Sequence, residues 1–304
     1  MPNDFKKILE TINRRIGQKI TAGERETAKR YASILTEIRA LTAQIYEKYE
    51  VNGVLTWADM QKYDRYNKYK QELQHLLTAH YKDLKKMMPG LIGEVYEEGY
   101  YLTAYGVETA ASAKLAYSAI TAAQMTAMVE NPVYGLTLSE TLEKNRVNII
   151  YKIQQEVTQG LVKGETYGTM SKRLKSSLEG DAVKAMRIVR TEGHRVQESS
   201  KLDAVTHANK QGVIMTKTWN TLEDTRVRRK KANHAQLNNV TIPADDNFSD
   251  GLGEGPAPGQ LGAAGSDINC RCFLTYEIER VEGKKKEDME NLTFDRWKEE
   301  RLKK

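Results

Sequence analysis

Two cysteines lie one residue apart in the sequence Asn-Cys-Arg-Cys, and the 304-residue chain has no others. The residues that follow alternate as those of a strand do, so Cys270 and Cys272 are expected to face the same side as Leu274 and Tyr276. On such a face two thiols can pack as small hydrophobic groups or bind a metal ion. A direct disulfide between them would close a small, strained ring. Core packing and metal binding therefore remain the alternatives.

Zinc is the metal that cysteine and histidine side chains commonly hold in a reducing compartment, and a tetrahedral zinc ion needs more than two ligands. His234 is the leading third ligand, because a strand after it can return the chain to the cysteines. The predicted zinc site is thus His234, Cys270 and Cys272. The fourth ligand is water or one of four side chains that no spacing singles out: Asp224, Asp245, Asp246 and His207.

A basic run lies just before His234. Within six residues it contains Arg226, Arg228, Arg229, Lys230 and Lys231. Such a run can neutralise DNA phosphates without reading the base sequence, and the lack of interleaved aromatic residues argues against base stacking. The alternative is a solvated loop, and the net charge of +6 over the whole chain is only a mild bias towards polyanions.

Motifs for catalysis are sparse in this sequence. The Gly- and Pro-rich stretch 250–265 lacks the Gly-Lys-Ser/Thr ending of a phosphate loop, and its length indicates a loop that becomes ordered on binding. Neither a Gly-x-Ser-x-Gly nor a His-Glu-x-x-His motif is present. Glu192 and His194 fall in a predicted helix, where roles at the surface or between helices are expected rather than acid–base chemistry.

Apolar residues at steps of three and four predict helices over most of the first 211 residues. The first is expected from Glu24 to Tyr49, with Tyr31, Ile34, Ile38, Leu41 and Ile45 on its buried side. A second is expected from about Thr56 or Trp57 to Met88, ended by Pro89 and Gly90. Further helices are predicted within 93–131, from Thr137 to Gly160, over 167–178, and over 181–211 with Gly212 as the stop.

Beyond Gly212 the pattern changes, since 213–220 and 270–279 alternate like strands. The sequence therefore predicts an α+β fold, with an elongated helical N-terminal region followed by a small mixed α/β C-terminal domain. The expected division is a helical assembly region at 1–180, a domain at 181–282 and a basic tail at 283–304. The tail is expected to be mobile or to seek a partner.

No stretch approaches the ~20 apolar residues that a membrane-spanning helix needs, and the N-terminus lacks the apolar segment of a signal peptide. We therefore expect no membrane span and a reducing cytoplasm as the place of synthesis, where a disulfide framework does not form.

An ordered series of motifs resembles a known family. The series comprises Arg-Thr-Glu at 190–192, Trp219, Asp-Thr-Arg-Val-Arg at 224–228, His234, Phe248, Pro-Gly at 258–259 and Asn-Cys-Arg-Cys at 269–272. In this order, over roughly residues 140–280, it resembles the minor head, or head-morphogenesis, protein family of tailed bacteriophages that is named after protein F of phage Mu. The family pattern falls on Arg190, Glu192, Trp219, Asp224, Arg226, His234, Cys270 and Cys272.

This resemblance implies a virion protein present in few copies inside the capsid, made in the host cytoplasm during assembly. It implies as partners the portal protein, capsid or scaffolding proteins and the packaged DNA. The expected roles are head assembly and genome packaging or delivery, without enzymatic activity. The helices over about 24–160 are expected to make the assembly contact, because a single hairpin cannot bury their apolar stripes.

An enzyme is the alternative interpretation. It would be an ADP-ribosyltransferase-like or nuclease-like domain that uses an Arg, Glu and His set in the C-terminal half. The absence of a nucleotide-binding or nucleophile motif favours the structural role.

Overall fold

The computed structural model describes residues 2–133, 135–289 and 291–303, with side chains from Phe5 onwards. In chain order its helices are α1 (Pro2–Tyr49), α2 (Trp57–Gln61), α3 (Arg65–Ala111), α4 (Ala122–Glu130), α5 (Leu138–Val162), α6 (Tyr167–Lys210), α7 (His234–Leu237), α8 (Ala264–Asp267) and α9 (Phe294–Leu302). A 3₁₀ turn, Lys62–Asp64, joins α2 to α3. The strands are β1 (Val213–Asn220), β2 (Thr241–Pro243), β3 (Phe248–Ser249), β4 (Glu254–Gly255) and β5 (Phe273–Val281). The predicted α+β class is confirmed.

The chain forms two compact units, each built from separate segments. The bundle unit contains Ala22–Met88 and Ser139–Val189. The sheet unit contains the residues up to Thr21, then Pro89–Leu138, and the residues from Arg190 onwards. Whether residues 1–180 and 181–282 are separate domains in solution stays a prediction.

The bundle unit is held together by apolar stripes and one buried polar cluster. Tyr31, Ile34 and Ile38 of α1 are buried as predicted, but Thr42 and Tyr46 then take the buried positions instead of Leu41 and Ile45. The stripe moves by one residue because a straight helix has 3.6 residues per turn. Other helices complete the core with the following buried residues: Leu73, Leu77, Tyr81, Leu84, Ile149, Ile153, Val157, Met170, Leu174 and Leu178.

At the polar cluster, Asp181 of α6 accepts hydrogen bonds at Oδ2 from the hydroxyls of Tyr31 and Tyr81, at 2.7 and 2.9 Å. Asn145 of α5 donates to Tyr81 at 2.9 Å. Four helices of the bundle unit therefore meet at one buried carboxylate. Burial raises the pKa of Asp181, although both tyrosine hydrogen bonds oppose that shift.

Several predicted helix ends were wrong. α1 begins at Pro2 instead of Glu24, and α3 continues through Pro89 to Ala111. Pro89 removes one helical hydrogen bond, but buried side chains on both sides of it, Met88 and Ile92, keep the helix packed. The segment predicted as helical over 93–131 leaves the helical state after Ala111 and re-enters it only at α4.

Two further predicted helix ends, both placed at glycines, were also wrong. α5 continues past Gly160 to Val162, and a Cβ atom at Gly160 would lie 2.4 Å from the methyl group of Met170, the flexible end of that side chain. The turn is made by Gly164, whose φ is +62°. The two helices predicted over 167–211 are one continuous helix, α6, because nothing crowds or bends the chain at Gly180.

In the sheet unit, β1 is the central strand of an antiparallel sheet of order β2-β1-β5. The predicted strand at 213–220 is confirmed, and it alternately buries Val213, Met215, Lys217 and Trp219. β5 begins at Phe273, so both cysteines precede the strand instead of lying on it. Their alternation persists nevertheless, since Cys270, Cys272 and Leu274 are buried while the residues between them are half-buried.

The Gly- and Pro-rich stretch 250–265 is packed, contrary to the expectation of a loop that waits for a partner. It contributes β4, which pairs with β3, and it buries Ala257 and Leu261. At Gly255 an added Cβ atom would lie 1.9 Å from the carbonyl oxygen of Gln260. Glycine is thus used here for close backbone packing.

The C-terminal tail is also docked, so the expectation of a mobile segment was wrong. α9 places the fully buried Trp297 against the rings of Tyr101, Tyr105 and Tyr117. Such aromatic burial outweighs the cost of ordering a short basic helix. Among the described residues, no helix combines the length and apolar character needed to cross a bilayer.

Candidate metal centre

Three buried donor atoms meet beside the β1–β5 end of the sheet. His234 Nδ1 lies 3.6 Å from Cys270 Sγ and 3.4 Å from Cys272 Sγ. The three donor atoms all lie within 4.8 Å of one another, and the three side chains are at most 5% exposed. The predicted set of His234, Cys270 and Cys272 is therefore brought together, and it could hold a metal ion.

The local fold explains this arrangement. Phe273 pairs with Asn220 at the end of the β1–β5 ladder, which fixes Cys272 immediately beyond it. His234 opens α7, and the backbone of Asn233 donates to the carbonyl of Asp250 at 2.9 Å. The ring of Trp219 packs edge-on against His234, with 5.4 Å between centroids.

The other nitrogen of His234 is held by a carboxylate. His234 Nε2 lies 3.0 Å from Asp250 Oδ2, and Asp250 Oδ1 accepts from the backbone nitrogens of Leu252 and Gly253, both at 2.9 Å. Burial alone would raise the pKa of Asp250, but the nearby Ser266 hydroxyl and the backbone hydrogen bonds lower it overall. The ionised carboxylate requires the proton on Nε2, which leaves the Nδ1 lone pair facing the sulfurs. A metal-binding histidine is oriented in the same way.

The two thiols affect each other's pKa in opposite directions. A hydrogen bond from Cys272 lowers the pKa of Cys270 against the effect of burial. The same hydrogen bond, together with burial, raises the pKa of Cys272. Metals bind the thiolate form of cysteine.

His194 of α6 also reaches this region, which the sequence did not predict. Its Nε2 lies 2.6 Å from the carbonyl oxygen of Cys272. Burial lowers the pKa of His194, but its interaction with Cys270 leads the contributions that raise it overall. The only available signal was its position one helical turn from Arg190 and two residues from Glu192, both in the family pattern.

The four side chains considered as a fourth ligand lie in other arrangements. Asp224 forms a bidentate ion pair with Arg271, at 2.7 and 2.8 Å, which holds its pKa well below the usual range. His207 donates to the carbonyl of Leu115 at 2.6 Å. Asp245 and Asp246 are exposed. The described three-residue cluster includes none of them.

Residues of the family pattern surround the loop at 269–272. Arg190 donates to the Asn269 side chain at 3.1 Å, and the neighbouring Thr191 hydroxyl accepts from the Asn269 backbone at 3.0 Å. Glu192 is buried and forms an ion pair with Arg195 at 3.1 Å. The Arg190 and Thr191 contacts with Asn269, together with the Asp224–Arg271 pair, hold the cysteine loop in place.

The basic run lies at the surface next to this centre. Arg226, Arg229, Lys230 and Lys231 are exposed, whereas Arg228 is half-buried and donates to the carbonyl of Ile268. A cavity of about 20 Å³ separates part of the run from the cluster. It has room for one water-sized group. Its lining includes Arg226, Arg228, Arg271, His234 and Cys272.

Comparison with known proteins agrees with the motif series. A family described as Phage Mu protein F like protein matches residues 151–275. The chain is 36% identical to Minor head protein GP7 of Bacillus phage SPP1, over 89% of this chain and 87% of that protein.

The chain belongs to the phage minor head protein family. Head morphogenesis and association with the virion follow from that membership. The chain is also 25% identical to the NAD(+)–arginine ADP-ribosyltransferase EFV of Enterococcus faecalis strain ATCC 700802 / V583, over 76% of this chain and 48% of that protein. No solved structure matches the chain significantly.

Proposed function

We propose that this phage minor head protein is a structural, non-enzymatic component of the capsid interior, bound at the portal vertex. It acts in head assembly and in genome packaging or delivery, and it meets capsid or scaffolding proteins in the host cytoplasm. The 36% identity to the SPP1 minor head protein, over almost the full length of both, carries this proposal. Co-purification of the full chain with its cognate portal protein tests it, and a lack of association would contradict it.

A structural role is favoured over the enzymatic alternative by two observations. The chain spans about half the length of the ADP-ribosyltransferase relative, so a catalytic domain there can lie outside the shared region. Glu192 is buried and ion-paired with Arg195, so its carboxylate is not presented to a substrate. Incubation with labelled NAD or with DNA should give no turnover. Transfer of label or cleavage of DNA would establish the enzyme instead.

The bundle unit offers an apolar surface for the portal contact. Val147 and Tyr151 lie one turn apart on α5 and are 52% and 67% exposed. They border a groove of about 430 Å³ that is also lined by Gln74, Thr78, Arg146, Ile150 and Gln154. Exposed apolar side chains beside a groove are typical of protein interaction sites. We assign this surface to the portal protein.

Tyr151→Glu and Val147→Glu should each weaken the portal complex, because a charge would be desolvated in an apolar contact. The matched control is Gln44→Glu, which adds the same charge at an exposed position of α1, a helix that does not line the groove. Portal binding should survive in the control. If all variants bind the portal protein equally, this groove is not the contact surface.

We further propose that the metal at the cysteine centre is zinc. Two thiols and an imidazole nitrogen match the ligand preference of zinc, and the Asp250–His234 hydrogen bond supplies the orienting outer partner. Bound zinc would cross-link the start of α7 to the loop before β5. The role is structural, since a fixed cross-link in this unit requires no chemistry of the ion.

A further inference from the structure

We propose that His194 is the fourth ligand of the zinc ion, so that the centre is a closed site of two cysteines and two histidines. This inference rests on the zinc proposed for His234, Cys270 and Cys272. It adds helix α6 to the residues that the metal would join.

The hydrogen bonding of His194 leaves one nitrogen available. A carbonyl oxygen only accepts, so the 2.6 Å contact with the Cys272 carbonyl requires His194 Nε2 to carry a proton. In the neutral imidazole, Nδ1 then holds a lone pair. His234 has the same tautomer, because its Nε2 donates to Asp250. Both histidines therefore show the arrangement in which one nitrogen donates to the protein and the other binds a metal.

Position supports the same assignment. The imidazole of His194 lies beside the cysteine loop, where its Nε2 touches the backbone carbonyl of Cys272. Its ring nitrogens lie outside the group of donor atoms that are all within 4.8 Å of one another. The side chain must therefore move towards the sulfurs when the ion binds. Arg190 and Thr191, one turn earlier on α6, already bond to Asn269 of the cysteine loop.

Charge balance favours histidine over an anion in the fourth position. Two thiolates and two neutral imidazoles leave a Zn²⁺ centre without net charge, which suits a site where three of the side chains are at most 5% exposed and His194 is half-buried. The rival fourth ligand is a water molecule in the 20 Å³ cavity lined by Arg226, Arg228 and Arg271. An open position of that kind is typical of catalytic zinc.

Cobalt(II) is the probe for the experiment, because its visible absorption reports coordination number and thiolate ligation. The full chain is titrated with Co²⁺ under reducing conditions, and Zn²⁺ affinity is measured by competition with a chelator. His194→Ala should lower Zn²⁺ affinity by about tenfold or more and change the tetrahedral cobalt spectrum. His207→Ala is the matched control, since His207 also lies on α6 and donates to a backbone carbonyl. Its spectrum and affinity should equal those of the original chain.

Two further variants separate the possible outcomes. His194→Cys should retain the metal and raise the thiolate-to-cobalt absorption by about half, from two to three sulfurs. That readout does not depend on the alanine variant being folded. If His194→Ala and His194→Cys both keep the original spectrum while His234→Ala loses the metal, the zinc proposal stands and His194 is not a ligand. If the original chain binds neither cobalt nor zinc, both proposals are wrong.

Discussion

The indole nitrogen of Trp297 donates a hydrogen bond to the carboxylate of Glu108, at 2.7 Å, across 189 positions of the chain. Arg301 donates to the same oxygen at 3.0 Å, and the backbone of Leu115 donates to the other oxygen at 2.6 Å. Glu108 has no exposed surface. A buried carboxylate with three donors fixes α9 on the C-terminal end of α3.

Trp297→Ala should lower the free energy of unfolding by about 3–5 kcal/mol, because it opens a cavity and removes a donor from buried Glu108. Urea unfolding followed by circular dichroism measures the change. Lys303→Ala, at a largely exposed position beyond α9, should have almost no effect. Equal stability of the two variants would show that α9 is not docked in solution.

The pH dependence of stability should carry the signature of Asp181. Its pKa is raised from 3.8 in the folded state, so folding favours the protonated form. The contribution of Asp181 is therefore fully present below pH 3.8 and is lost as the pH rises through the raised pKa. Asp181→Asn removes this loss. Relative to the original chain, the variant should gain stability between about pH 4 and neutral pH.

Urea unfolding at several pH values tests this expectation for Asp181. The control is Asp83→Asn. The Asp83 carboxylate is 63% exposed, and its ion pair with Arg30 is long, at 3.6 Å. Its difference from the original chain should change little with pH. A pH-independent difference for Asp181→Asn would mean that the carboxylate is not buried as described.

Helix periodicity could be predicted from the sequence more fully than the helix ends. Apolar spacing identified the helices, because burial of a stripe leaves a regular trace in the chain. It misplaced the ends at Pro89 and Gly160, where packing across the bundle or along α3 outweighs the local preference of one residue. The burial of Trp297 could not be predicted from apolar spacing, since its partner Glu108 lies on another helix.

The residues of the metal centre were also predictable only in part from the sequence. The chemistry of Cys270, Cys272 and His234 was readable from residue type and order. Asp250 and His194 were not, because their roles arise only when β3–β4 and α6 are packed against the cysteine loop. Residue type alone gives histidine and aspartate too many possible partners.

Chelation distinguishes zinc binding from simple packing of the cysteines. If zinc is bound, elemental analysis should give about one zinc per chain, and a chelator should lower the melting temperature under reducing conditions. His234→Ala should lose the metal, whereas His80→Ala, in the bundle unit, should keep it. If the thiols only pack, chelator has no effect and Cys272→Ala costs about 1–2 kcal/mol.

DNA binding should be non-specific and should weaken steeply with salt. Replacing Arg229, Lys230 and Lys231 with Gln should flatten the plot of log affinity against log salt, by about 0.9 for each phosphate that the variant no longer neutralises. Arg226 and Arg228 are left intact because they bond to Asp224 and to the Ile268 carbonyl, whereas Arg229 donates only to nearby carbonyls of its own loop, at Asp224 and Val227.

The control for DNA binding removes the same charge from exposed positions of α3, as Lys68→Gln, Lys82→Gln and Lys86→Gln together. Fluorescence anisotropy with duplex DNA at several salt concentrations measures both slopes. If the two triple variants have equal slopes, the run at 226–231 is a solvated loop and does not bind DNA.

The hydrogen bonds from Gln197 and Lys201 to Asn13 each span at least 184 positions of the chain. They can therefore form only late in synthesis of the chain. Every segment of the bundle unit has left the ribosome once Val189 has emerged, whereas the sheet unit still lacks β1, β5 and α9. At ordinary elongation rates that interval is on the order of ten seconds. During it the apolar stripe of α1, at Leu9, Ile12 and Ile16, has no completed core to enter. This apolar stripe therefore reaches its full burial only after the C-terminal part of the chain has been made.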